Sequence, residues 1–161
     1  MMWVIRAGQN AIYYNKYIDN SKVYIPWDGY AFDLSTVESR LEFRSVVENE
    51  KGTLNRTSIS NWAGQLYTFT REIKIGEYVL IPSKCSQTYC LAIISSEYSF
   101  DKNERDKLYH YRDIQIVEKD IPKNIFPQTI IYSLGAFRTI FKVKYEEEIM
   151  KTIEKWKGEN R

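Results

Sequence analysis

The sequence predicts an α+β domain organised around a small curled β-sheet, and three observations carry that prediction. Tyr78-Val79-Leu80-Ile81-Pro82 and Tyr89-Cys90-Leu91-Ala92-Ile93-Ile94 are short apolar runs separated by the polar stretch 83–88, the pattern of a hairpin. Trp62, Leu66, Phe69 and Ile73 recur at helical spacing just before them. The chain has 161 residues, 43% of them hydrophobic, which suits one domain with a real core and argues against disorder.

Taken in order, residues 1–8 read as a first strand, since no long apolar region or small-residue cleavage site follows to make a signal peptide. Lys22 to Trp27 is a second β-rich run; Pro26 places it at a strand end or edge, and Asp28-Gly29 turns the chain. Ser35 and Glu38 match a capping box, so a helix is expected from there to about Asn49, with Val37, Leu41, Val46 and Val47 inward. Residues 51–58 read as a loop, and Ser60 as the cap of the helix carrying Trp62. Gly76 closes that helix and opens the hairpin. The alternating charges of 102–107 indicate a solvated loop. Tyr109 to Val117 is the next strand, followed by a Pro-punctuated crossing at 121–127, a helical turn at 130–134, and a last strand over 139–143. From Tyr145 onward Ile149, Ile153 and Trp156 sit at helical intervals.

Composition narrows the chemistry. Lys and Arg number 23 against 21 Asp and Glu, a net +2, far short of a protein that coats duplex phosphate, so any nucleic-acid contact must be local. No transmembrane span and no membrane partner are indicated, and a cytoplasmic location is expected. Cys85 and Cys90 flank a turn where a bridge is sterically conceivable, but two cysteines in a chain this size read as free thiols. One histidine and two cysteines do not form a metal-ligand pattern, a glycine-rich phosphate loop is absent, and no cofactor is implied.

Aromatic rings beside amide, hydroxyl and cationic groups on the sheet rim suit a flat ligand, a nucleobase first among them. Trp27 and Trp62 offer the largest stacking faces, worth about 1 to 3 kcal/mol per base, and Tyr98 completes a cage; core packing is the competing use of all three. Asn61 is placed to read a base edge or cap a helix, and Ser83 to donate a hydroxyl or shape a turn. Arg112 lies two residues from His110 and hence on the same strand face, suited to a phosphate or a structural carboxylate. Lys84, Lys102 and Arg105 are candidates for a basic rim. His110, the only imidazole, lacks a nucleophile or carboxylate in a recognisable arrangement, so binding or structural use is expected of it rather than catalysis. Glu72-Ile73-Lys74 with Asp33 matches a bare nuclease pattern, but it falls at a helix end, and no enzymatic activity is expected.

A family resemblance joins these pieces. Ile5-Arg6-Ala7-Gly8, then Ile25-Pro26-Trp27 with Phe32-Asp33-Leu34-Ser35, then Asn61 to Tyr67, Ile75 to Leu80, Ala92 to Phe100, His110 to Ile114 and Leu134-Gly135 to Phe141 keep the order of the N-terminal domain of Mrr-type restriction proteins, which this chain resembles from about Met2 to Val143. That domain is similar to the PUA-like superfamily, related to EVE and YTH modules, which hold modified or flipped bases in an aromatic pocket. The resemblance implies a PUA-like small curled β-barrel with flanking helices over 1–144, followed by an amphipathic helix or linker over 145–161. It implies a non-catalytic module that senses a modified base in DNA, as part of a restriction or anti-phage defence system, coupled to a nuclease domain or subunit. Pro26 departs from the pattern, where glycine more often precedes the tryptophan. An RNA-binding PUA-like module and a protein-interaction regulatory domain are the alternatives.

Overall fold

The computed structural model describes residues 1–84 and 87–160. Cys85, and with it any bridge to Cys90, lies outside the described residues; Cys90 itself is a buried free thiol.

The chain runs β1 (Met2–Ile5), α1 (Tyr14–Asn20), β2 (Lys22–Tyr24), α2 (Arg40–Glu50), α3 (Arg56–Tyr67), β3 (Tyr78–Pro82), β4 (Thr88–Ile94), β5 (Ser99–Phe100), β6 (His110–Pro122), α4 (Gln128–Leu134), β7 (Ile140–Lys142) and α5 (Glu146–Glu159). The strands form one curled mixed sheet in the order β2-β6-β4-β3-β1-β7, with β5 pairing to β6. Among the described residues β1 and β3 are the one parallel pair. The long β6 produces the curl. Its first residues pair with β2 and β5, its later ones with β4, and a register shift separates Leu91 from Ala92 on the facing strand. The sheet does not close: β2 and β7 are its two ends, so the expected barrel is an open half-barrel.

Both sheet faces are covered, which is why Met2 to Ile5 are all buried. Strand alternation sorts the side chains. Trp3, Ile5, Val79, Ile81, Cys90 and Ala92 enter a core shared with α1, α2 and α3, while Met2, Val4, Leu80, Tyr89 and Leu91 face α4 and α5. On α5, Ile149 and Ile153 are buried against that second layer. Glu146, Glu147 and Glu148 in its first turn and Lys157 in its last complement the helix dipole. Among the described residues no helix is long and apolar enough to cross a membrane.

Several boundaries differ from the sequence reading. The capping box that operates is Ser39 with Glu42, one turn after Ser35; Asp33 instead accepts from the Ser35 amide in a short 3-10 turn, and Val37 stays extended to reach the core. Leu41 is 70% exposed, and Phe43 and Val47 face inward. Asn55, not Ser60, caps α3, which takes in residues assigned to a loop. The seven residues of α1 bury only Tyr17, so no apolar period in the sequence marks this helix.

The half-barrel's open seam is bridged by side chains. The Tyr17 hydroxyl lies 2.9 Å from the Tyr24 carbonyl and 3.1 Å from that of Arg6, linking the ends of β2 and β1. Trp27 Nε1, just beyond β2, donates to Thr139 Oγ1 beside β7 at 3.3 Å.

Candidate functional site

Where β1 ends, the chain reverses through a turn with φ of 83° at Gly8, 58° at Asn10 and 53° at Ala11. Glycine is required at the first position: a Cβ there would sit 2.9 Å from Tyr13 Cδ2, on a backbone that side chains rarely adopt. Asparagine tolerates the left-handed region, whereas Ala11 carries local strain. Strained turns of this kind concentrate at functional sites, and here two clefts meet, one on each side of the turn, both lined by Gly8 and Asn10.

The first cleft, about 490 Å³, is walled by Tyr13, Trp27 and Trp62, with Gln9, Asn10 and Lys51 around it. The second, about 360 Å³, collects Arg6, Lys84 and Lys123 with the amide of Gln87, and no carboxylate is among its lining residues. Arg6 donates from Nη2 to the carbonyls of Ala136 (2.7 Å) and Leu134 (3.2 Å), placing a cation on the C-terminus of α4; its Nε is buried with no hydrogen-bond partner. One cleft can accept a flat apolar group, and the other an anion.

Trp27 and Trp62 both line the first cleft, but not in the arrangement expected of them. Their rings stack on each other, centroids 5.0 Å apart and planes 26° from parallel. A third ring between them needs about 7 Å, twice the roughly 3.5 Å contact distance of carbon atoms. The pair is therefore one wall of the cleft and not the two sides of a slot.

Tyr98 does not join them. Its hydroxyl accepts from the Leu34 amide at 3.0 Å and lies 2.6 Å from His110 Nδ1, and its ring stacks on that imidazole. His110 Nε2 faces the Tyr30 carbonyl at 2.8 Å and must donate to it, so Nδ1 is the acceptor and Tyr98 the donor. The imidazole is neutral, and burial pushes its pKa down to about 4. Burial likewise raises the Tyr98 hydroxyl well above its ordinary value.

Arg112 is 0% exposed. Its guanidinium donates to Phe69 O at 3.0 Å and twice to Ser96 O at 3.1 and 3.2 Å, with the Glu97 carboxylate 3.8 Å away. The expected phosphate contact gives way to an internal brace. His110 and Arg112 do share a strand face, as spacing indicated, but Leu108 and Ile114 on the same alternation are buried, and that face is the interior.

The remaining candidates separate. Asn61 is exposed on α3, but its Oδ1 accepts from Gln65 Nε2, and Gln65 Oε1 accepts from the amides of Thr139 and Ile140; Asn61 thus supports the β7 edge, neither reading a base in the aromatic cleft nor capping a helix. Ser83 and Lys84 line the cationic cleft, Ser83 bonded to Thr88 across the hairpin and Lys84 to Asn10 Oδ1. Lys102 and Arg105 are exposed on a loop that Glu104 and Asp106 tie to Lys16 on α1, and they line neither cleft. Glu72, of the bare nuclease pattern, bonds Thr68 and Arg40. Sequence reasoning missed Arg6, Asn10, Tyr13 and Lys123 as cleft residues. For the first three the available signal was the Arg6-Ala7-Gly8 segment, a cation and a glycine at a strand end.

These features define an α+β half-barrel domain with an aromatic and a cationic cleft joined at one strained turn. Residues 3–143 match the family described as a domain of unknown function, DUF8426, and the chain belongs to that family. Among curated proteins there is no match.

Proposed function

We propose that this domain is a non-catalytic nucleic-acid-binding module that senses a modified base in DNA, holding the extruded base in the aromatic cleft and its phosphate in the cationic one. The observation that carries the reading is the shared turn: Gly8 and Asn10 line both clefts, so one ligand with a flat ring and an adjacent anion spans them. That description fits a nucleotide. Tyr13 and the open surface of the Trp27 and Trp62 pair supply stacking, the amides of Gln9 and Asn10 are placed for the base edge, and Arg6, Lys84 and Lys123 offset phosphate charge. Extrusion costs a few kcal/mol, which stacking and edge hydrogen bonds must offset. The resemblance to PUA-like readers supports the same assignment and sets it in a restriction or anti-phage system, with a nuclease domain or subunit acting on what the module finds.

The test is a panel of short DNAs carrying cytosine, 5-methylcytosine, 5-hydroxymethylcytosine, adenine or N6-methyladenine, with matched RNA, read by tryptophan fluorescence. One modification should bind about 10- to 200-fold more tightly than its parent base, the range one methyl commands in a fitted apolar site. Tyr13→Ala should remove that preference, whereas Lys84→Glu with Lys123→Glu should weaken all DNAs alike. Equal and negligible affinity across the panel defeats the proposal, and preference for RNA moves it to an RNA-binding module.

A further inference from the structure

On the far side of α4 from the cationic cleft is a surface with its own character. Phe137 is fully exposed and Tyr132 is 75% exposed, beside a depression of about 540 Å³ lined by Tyr132, Arg138, Phe141, Lys142, Lys144 and Tyr145 and by no carboxylate. Lys16, Lys22, Arg40, Lys151 and Lys157 reach acids on other surfaces of the molecule. Among the described residues Arg138, Lys142 and Lys144 form no ion pair. In a chain of net charge +2, three unpaired cations interleaved with exposed rings are a concentrated feature.

We propose that the end of α4 and the strand β7 form a track for single-stranded nucleic acid flanking the recognised base. This rests on the base-binding reading and extends it to the neighbouring nucleotides. Successive bases stack on exposed aromatic rings while cations follow the backbone, and Phe137, Tyr132, Arg138, Lys142 and Lys144 supply both. The two lined surfaces lie on the same short helix. Ile131, Leu134 and Gly135 of the α4 region line the cationic cleft, while Tyr132, Ser133 and Ala136 line the depression, and the exposed Phe137 follows directly, which is where the proposed strand would round the helix end. A peptide strand adding to the β7 edge is the competing occupant, but Gln65 already holds the Ile140 amide, one of the outward amides of this three-residue strand.

The experiment compares fluorescence-anisotropy binding of a 5-methylcytosine trinucleotide and a single strand of about twelve nucleotides with the same centre, across a salt series. Phe137→Ala, and Lys142→Glu with Lys144→Glu, should weaken the long strand by about tenfold or more while changing the trinucleotide less than about twofold. The charge variant should also flatten the salt dependence by roughly 0.7 per lost phosphate contact. These side chains are exposed, and circular dichroism checks that the variants stay folded. Long-strand binding unchanged in both variants overturns the track while leaving base reading intact. Track-dependent binding that survives Tyr13→Ala upholds the track and removes the base cleft. Absence of binding by the native protein at either length overturns both, as does Phe137→Ala dissolving a dimer in sedimentation without altering DNA affinity overturn the track.

Discussion

His110 has both ring nitrogens engaged in a way that only the neutral form satisfies. Nε2 donates to Tyr30 O, and Nδ1 accepts from a Tyr98 hydroxyl that itself accepts from Leu34 N. A second ring proton would meet the Tyr98 hydroxyl proton in a site closed to water. The folded pKa of about 4 lies below the ordinary 6.5, so the unfolded chain takes up the proton first. Stability from this group is therefore complete above about pH 6.5 and falls as pH drops toward 4, by about 3 kcal/mol at 1.36 kcal/mol per pH unit. Urea unfolding at steps between pH 7 and 4 checks this: the native protein should lose stability over that interval, and His110→Gln should be less stable at pH 7 but flatter with pH. A parallel decline in the two proteins would refute the assignment. At this scale the sequence made residue identity legible but not orientation. Trp27 and Trp62 were visible as rings, yet nothing local said that they would stack on each other, because that contact is fixed by where β2 ends relative to α3.

At the scale of elements the informative irregularity is the turn Thr68–Glu72, where α3 widens to π-helical bonding and Ile73 N reaches back to Thr68 O. Widening takes the Phe69 carbonyl out of the regular ladder, and Arg112 meets it from β6 while also holding Ser96 O beyond β4. One side chain thereby ties a helix end to two parts of the sheet. Arg112→Met keeps much of the apolar stem but leaves two acceptors without their donor, and should cost about 2 to 4 kcal/mol in denaturant unfolding. Arg112→Lys should recover only part of it, because an ammonium lacks the planar fork that serves both carbonyls. Full recovery by lysine would show that charge rather than geometry matters. Strands β3 and β4 and helix α5 were legible because their apolar periods are regular and both ends are marked. The start of α2 was not: Ser35-Thr36-Val37-Glu38 and Ser39-Arg40-Leu41-Glu42 fit the same capping pattern, and the burial of Leu34 and Val37 selects the second.

For the whole molecule the decisive feature is the seam of the half-barrel, which no single segment of sequence displays. The turn after β1, the end of β2 and the middle of α3 are far apart in the chain and converge there to build the aromatic cleft, Trp27 ties them to the start of β7, and the same turn meets the ends of β3 and β4 and helix α4 in the cationic cleft. Tyr17 reaches the seam from α1 without lining either cleft, its hydroxyl between the carbonyls of Arg6 and Tyr24. Burial holds that hydroxyl protonated, well above its ordinary pKa, and it serves as a donor. Tyr17→Phe keeps the ring and removes only this donor. Two effects should follow together: a stability loss of about 1 to 3 kcal/mol, the cost of a buried acceptor left unmet, and weaker capture of the preferred DNA, since Arg6 and the Gly8 turn are no longer fixed against β2. Thermal unfolding reads the first and the fluorescence panel the second. Lost stability with unchanged DNA affinity would mean that the seam supports the fold but does not set the clefts, and the link drawn between half-barrel opening and ligand binding would have to be abandoned.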